Sequence, residues 1–121
     1  MNNLTYSEEE EDEKFLLSVE LLLENQKTNP ERVLFLSVIL QALLDATKPE
    51  TLKEPEEEKL ARRSAQAWFF ASVGVTAQDF NDICDFAGIA PVSMRSFAFK
   101  VLRSKEVTYI RKRINTVLNY D

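Results

Sequence analysis

Apolar residues recur every three or four positions along most of the chain, the spacing of one face of an α-helix. The first stripe predicts a helix that ends near Gln26 and comprises Phe15, Leu16, Val19, Leu22 and Leu23. A second helix is predicted to begin at Asn29-Pro30, where a capping side chain precedes a proline at the first helical position. From Val33 to Leu44 this helix is apolar nearly all round, which predicts the central buried helix or a dimer interface.

A segment with two prolines, Thr47 to Pro55, separates this helix from a third, which is predicted to begin at Pro55. Its predicted inner face combines mostly small side chains with leucine and tryptophan: Leu60, Ala61, Ser64, Ala65, Ala67, Trp68 and Ala71. On this interpretation Arg62, Arg63 and Gln66 face water, and Gly74 interrupts the chain before the next element.

The stretch from Thr76 to Lys105 predicts two helices joined by a tight turn. Thr76 is the expected N-cap, Gly88 permits the left-handed conformation that ends a helix, and Pro91 suits the first turn of the next helix. The buried sides are predicted to be Phe80, Ile83, Cys84 and Ala87, then Met94, Phe97 and Val101. The second helix would expose Ser93, Ser96, Lys100 and Arg103, with Arg95 beside them.

A last helix is predicted from Glu106 to Asn119, with a basic cluster on its far side formed by Arg111, Lys112 and Arg113. The predicted fold class is therefore all-α: an N-terminal helical hairpin, a three-helix helix-turn-helix unit and a C-terminal helix. Residues 1–48 hold an acidic tail and the hairpin, and residues 55–121 hold the helix-turn-helix unit. We expect both parts to belong to one compact domain.

The Thr76–Lys105 stretch resembles the helix-turn-helix of DNA-binding proteins. The turn reads Ala87-Gly88-Ile89, with a small residue at Cys84 and apolar residues at Met94 and Phe97, as in that motif. The resemblance implies that the helix Pro91–Ser104 lies in the major groove of double-stranded DNA. Base edges or phosphates would then be contacted by Ser93, Arg95 and Ser96, and the DNA backbone by Lys100, Arg103, Lys105, Arg111, Lys112 and Arg113.

A second resemblance covers Arg32 to Arg95. The order of an aliphatic helix ending in A-x-x-D-A, an A-W-F helix and D-F-x-x-I-C-x-x-A-G-I-x-P is similar to small uncharacterised proteins encoded by phages and prophages. It implies a role in phage gene regulation or DNA packaging.

Charge is distributed unevenly along the chain, although the net charge is only −5. Residues 1–58 contain 15 acidic and 5 basic side chains, whereas residues 59–121 contain 10 basic and 5 acidic ones. Between Arg95 and Arg113 there are seven basic residues and one acidic residue. This asymmetry indicates a polyanion-binding end and a partner-binding end, or two halves that attract each other within the fold or in a dimer.

The composition offers little for catalysis, so we expect a protein that is not an enzyme and has no cofactor or metal. The chain has no histidine, which removes the commonest general base and zinc ligand. Its one cysteine, Cys84, is expected to be a buried structural residue and indicates a reducing compartment. With no signal peptide and no bilayer-spanning apolar run, a cytoplasmic protein without a membrane partner is expected.

These observations favour a phage-type transcriptional regulator that binds DNA, forms a homodimer through residues 15–46 and contacts RNA polymerase or another protein. One alternative is a small terminase subunit, which recognises DNA during packaging. Another is an acidic adaptor or inhibitor that docks on a basic protein through the run Ser7–Glu13 and does not bind DNA.

Overall fold

A computed structural model describes residues 13–23 and 29–118. In this part of the chain every regular element is a helix, which confirms the all-α prediction. The described residues form six helices: α1 (residues 13–23), α2 (Pro30–Ala46), α3 (Glu56–Phe70), α4 (Gly74–Ala87), α5 (Pro91–Arg103) and α6 (Val107–Val117). Of the acidic run Ser7–Glu13 all but Glu13 lies outside the described residues, as does the predicted end of the first helix near Gln26.

The α2 helix is the centre of the core and packs chiefly against α4 and α3. It begins as predicted, because the Asn29 side chain accepts a hydrogen bond from the Arg32 amide and Pro30 occupies the first position. Ile39 and Leu43 have no exposed surface. Since α3 and α4 cover α2, residues from both sides of the Thr47–Pro55 segment form one apolar cluster.

The turn between α4 and α5 contains three residues, Gly88 to Ala90, and its backbone is held by two hydrogen bonds. Gly88 adopts φ +79°, its amide donates to the Asp85 carbonyl, and the Ile89 amide donates to the Cys84 carbonyl. This is the Schellman arrangement that satisfies the last carbonyls of a helix. The helix end predicted at Gly88 is therefore confirmed.

The start of α4 differs from the prediction. The helix begins at Gly74, two residues before Thr76, so Thr76 lies inside the first turn and is not the N-cap. Gly74 takes φ +92°, a conformation that strongly favours glycine, and lets the chain enter the helix earlier. Thr76 is exposed, so no packing constraint required the helix to begin there.

The buried face of α3 was predicted wrongly. Arg62 and Phe69 are buried together with Ala65, whereas Leu60, Ala61, Ser64 and Ala67 are exposed. The reason is a charged partner outside the helix, in the segment before it. Two Arg62 nitrogens donate to the two oxygens of the Glu54 carboxylate at 2.6 and 2.9 Å, and the two side chains are 8% and 2% exposed.

The Arg62–Glu54 pair fixes the Thr47–Pro55 segment to α3. A bidentate contact of this kind allows an arginine and a carboxylate to be buried together, because each satisfies the other's hydrogen-bonding groups. The hydrogen bond from Arg62 lowers the pKa of the Glu54 carboxyl below its usual value of 4.5, and burial opposes this effect. The pair therefore contributes stability above the unfolded-state pKa, and this contribution is lost as the pH falls through the lower pKa of the folded state.

We predict that Glu54→Gln lowers the melting temperature at pH 7, because the buried guanidinium loses its counter-charge. The difference from the wild type should narrow as the pH falls below about 4.5, since the wild type then loses the same interaction. Thermal unfolding followed by circular dichroism from pH 7 to pH 3 measures both effects. Glu50→Gln is the matched control, because Glu50 lies 4.0 Å from Arg62 but is 83% exposed. An equal loss in both variants would contradict the role of burial.

Gly88→Ala should destabilise the protein by about 1–2 kcal/mol, because an L-residue is strained at positive φ. An added Cβ would also lie 2.9 Å from a terminal nitrogen of the Arg32 side chain. Arg32 is exposed and can move, so the loss should be nearly the same in an Arg32→Ala background. Chemical denaturation of the four proteins checks this, and a loss that disappears without Arg32 would assign it to the side-chain clash instead.

Candidate nucleic-acid interface

The exposed side of α5 carries the residues expected to contact DNA. Ser93 and Ser96 are exposed near its start, Lys100 is half-buried, and Arg103 and Lys105 are exposed at and beyond its end. Met94, Phe97 and Val101 are buried on the opposite side, as predicted. No acidic residue occurs from Pro91 to Lys105, so this face is free of carboxylates from its own helix.

No side chain at the N-cap of α5 accepts a hydrogen bond from the first backbone amides of the helix. Ala90 precedes the helix and makes no side-chain hydrogen bond to it, and Pro91 has no amide hydrogen. The Met94 amide donates to the Ala90 carbonyl at 3.0 Å. The amides of Val92 and Ser93 therefore lie in the first turn, where orphan donors and the helix dipole favour an anion.

Arg95 is not on the exposed face of α5 in the way that the sequence indicated. Its Nε donates to the Phe69 carbonyl oxygen at 2.8 Å, and its guanidinium lies over the Phe80 ring, 4.7 Å from the ring centre. The first contact satisfies a carbonyl in the last turn of α3, and the second adds a cation–π contact to α4. Arg95 thus connects three helices and has a structural role that sequence analysis did not predict.

Two of the three basic residues predicted on the far side of α6 also make internal contacts. Arg111 is half-buried and donates to the Leu44 carbonyl and to the Thr47 hydroxyl, at 2.8 Å for the hydroxyl. Burial lowers the pKa of its guanidinium, while Asp45 opposes that effect. Arg111 therefore joins α6 to the end of α2.

Arg113 joins α6 to α1. It donates to both carboxylate oxygens of Glu20, at 2.7 and 3.3 Å, and also to Glu13. These hydrogen bonds raise the pKa of the Arg113 guanidinium above its ordinary value, because they stabilise the charged form. Lys112, between the two arginines, is exposed.

The nine predicted contact residues therefore divide into two groups. One group lies on or beside the outer side of α5, with Lys112 on the exposed side of α6: Ser93, Ser96, Lys100, Arg103, Lys105 and Lys112. The other group holds helices together: Arg95, Arg111 and Arg113. No local sequence signal could show this division, because the hydrogen-bond acceptors of these arginines on other helices lie 26 or more positions away along the chain.

Sequence analysis also missed two apolar residues on the outer side of α5. Val92 is 76% and Phe99 is 50% exposed. The rings of Phe99 and the half-buried Phe70 are nearly perpendicular with their centres 6.2 Å apart, and the Arg103 guanidinium lies 5.1 Å from the centre of the Phe99 ring. Val92 lies four residues before Ser96 and Phe99 three residues after it. This helical spacing was the sequence signal that the three residues share one face.

Two kinds of side chain in the described part of the chain bear on metal binding and nucleophilic chemistry, namely the acidic residues and Cys84. No cluster of three or more cysteine or acidic side chains there could hold a metal ion. Cys84 is fully buried, and this burial raises the pKa of its thiol to about 12, so the reactive thiolate is disfavoured. None of the helices in residues 13–23 and 29–118 has the length and apolar character needed to cross a bilayer.

Comparisons with protein-family models, with curated proteins and with solved structures find no match to this chain. The resemblance to helix-turn-helix and phage proteins therefore stays a prediction that rests on the residues quoted for it.

Arg111→Ala should destabilise the protein by roughly 1–3 kcal/mol, because the Leu44 carbonyl and the Thr47 hydroxyl each lose a donor. Lys112→Ala, the neighbouring exposed cation, should change stability by less than about 0.5 kcal/mol. Urea denaturation of the two variants measures the contrast. Equal stabilities would show that Arg111 is not needed at the end of α2.

Proposed function

We propose that this protein binds double-stranded DNA through the outer side of α5 and acts as a transcriptional regulator of the phage type. The observation that carries the proposal is that α5 follows a three-residue Schellman turn and exposes serines and cations on a face to which the helix itself contributes no carboxylate. A helix of this kind is suited to the major groove, with its first residues near base edges and its later cations near phosphates.

The proposed contacts involve fewer residues than the sequence predicted. Ser93 and Ser96 would approach base edges or phosphates near the start of α5. Lys100, Arg103 and Lys105 would approach the DNA backbone at its end, and Lys112 would add a further phosphate contact. Arg95, Arg111 and Arg113 are omitted from this set, because their contacts hold other helices in place.

A second candidate function is a protein-binding adaptor without DNA contact, and one observation favours it. Four large apolar side chains are at least two-fifths exposed on α1 and α2: Leu17, Leu21, Leu34 and Val38. Exposed apolar residues of this size mark protein-interaction surfaces when they lie together. The same residues fall in the segment 15–46, through which we propose that a DNA-binding form dimerises.

The test is binding to random duplex DNA, measured by fluorescence anisotropy across a salt series. Binding should weaken with salt, and Arg103→Ala/Lys105→Ala should reduce the slope of log K against log [salt] by about 2, or about 1 for each lost phosphate contact. Both side chains are exposed, so the fold should be kept. The matched control is Lys53→Ala/Arg63→Ala, which removes two exposed cations from outside α5.

A salt slope that falls equally in both double variants would show general charge attraction without a defined face. No binding of the wild type at low salt would contradict the proposed function and leave the adaptor as the remaining candidate.

A further inference from the structure

The centre of the outer side of α5 exposes two large apolar side chains, Val92 and Phe99, which phosphate binding does not require. Val92, Ser96 and Phe99 follow one another at helical spacing, and the first and last are exposed. With Phe70 and Arg95 they line a shallow groove of about 340 Å³. Leaving a valine and a phenylalanine in water is unfavourable, so a contact that covers them would gain free energy.

The side chains that usually distinguish guanine, adenine and cytosine are missing from the first two turns of this face. Arginine pairs with guanine, asparagine or glutamine with adenine, and a carboxylate with cytosine. From Pro91 to Lys105 there is no asparagine, glutamine or acidic residue. The one arginine in those turns is Arg95, whose Nε is bonded to Phe69 and whose guanidinium covers Phe80.

The cations at the end of α5 lie too far along the helix to contact bases beside its first two turns. Arg103 lies in the last turn of α5 with its guanidinium against the Phe99 ring, and Lys105 lies beyond the helix. Arg103 therefore gives the apolar face a positive border at that end, whereas Lys105 lines a separate groove with Glu13 and Glu106. A face that is apolar in the middle, receives no carboxylate from its own helix and has a cation at one end is complementary to the DNA major groove, where phosphates flank the base edges.

Thymine presents the one large apolar group on the floor of the major groove, its 5-methyl group. We propose that the Val92–Ser96–Phe99 face of α5 recognises DNA by covering thymine 5-methyl groups, and that this contact is its main means of base discrimination. The inference rests on the proposed DNA-binding function and specifies the chemistry of its target.

The experiment compares duplexes with and without those methyl groups. Duplexes enriched from a random library by the wild-type protein are synthesised with thymidine and, in identical sequence, with deoxyuridine, which lacks only the methyl group. Anisotropy at one fixed salt concentration then gives the two affinities. The expected result is about a fourfold weaker binding for each contacted methyl group removed.

Two variants assign the effect to this face. Phe99→Ala and Val92→Ala should each reduce the ratio of thymidine to deoxyuridine affinity, while the salt dependence of binding stays the same. Phe86→Ala is the matched control, because Phe86 is an exposed phenylalanine that also contacts one other ring, that of Phe35 on α2. It should keep the wild-type ratio. Thermal unfolding of each variant confirms that it is folded.

The outcomes separate the two proposals. No binding to either duplex overturns DNA binding and this inference with it. Equal binding to both duplexes overturns the inference alone and keeps the DNA-binding function. A thymidine preference that survives Phe99→Ala and Val92→Ala also overturns it, because other side chains would then read the methyl groups. A dimer of the free protein that Phe99→Ala abolishes overturns it too, since a second copy would cover the face.

Discussion

The end of α2 lies inside the molecule, and its last carbonyl groups must find hydrogen-bond donors there. Ala46 and Thr47 are both buried, so water is not available to satisfy this helix end. The Thr47 hydroxyl donates back to the Leu43 carbonyl at 2.7 Å, and the Gln66 side-chain amide donates to the Ala46 carbonyl at 2.9 Å. The Arg111 guanidinium donates a hydrogen bond to the Leu44 carbonyl. A helix apolar enough to form the core therefore depends on polar side chains from α3 and α6 at its end.

This requirement explains how much of the fold could be predicted. The helices of the described residues follow from local signals that need no distant partner, such as Asn29-Pro30 at the start of α2 and Gly88 at the end of α4. The orientation of α3 could not be predicted in the same way. Hydrophobicity alone predicts that Arg62 and Gln66 face water. In the structure Arg62 instead donates to the buried Glu54 carboxylate, and Gln66 donates to the Ala46 carbonyl at the end of α2.

The candidate site was also predictable only in part, because local helical spacing can be read from the sequence and contacts between distant residues cannot. The exposed position of Ser93, Ser96 and Arg103 follows from the helical spacing of the buried residues on the opposite side of α5. The internal contacts of Arg95 and Arg113 do not, because they depend on which helices pack side by side. A count of charges along the sequence cannot separate a cation that binds a carbonyl of its own protein from one that meets a phosphate.

The division between those two uses follows the chemistry of the side chains. An arginine can satisfy two acceptors at once with its planar fork, and it is weakly hydrated, so it suits buried helix ends and carboxylate pairs. Arg62 and Arg113 are used in this way, and both lysines beyond α5, Lys105 and Lys112, are exposed. Internal use of arginine reduces the cationic surface that the basic half of the chain can offer to DNA. With so few of the proposed phosphate contacts and a net charge of −5, a DNA-binding form of the protein would gain little affinity from charge alone. Apolar contact between α5 and the bases would then have to supply a larger share of the binding free energy than it does in strongly basic DNA-binding proteins.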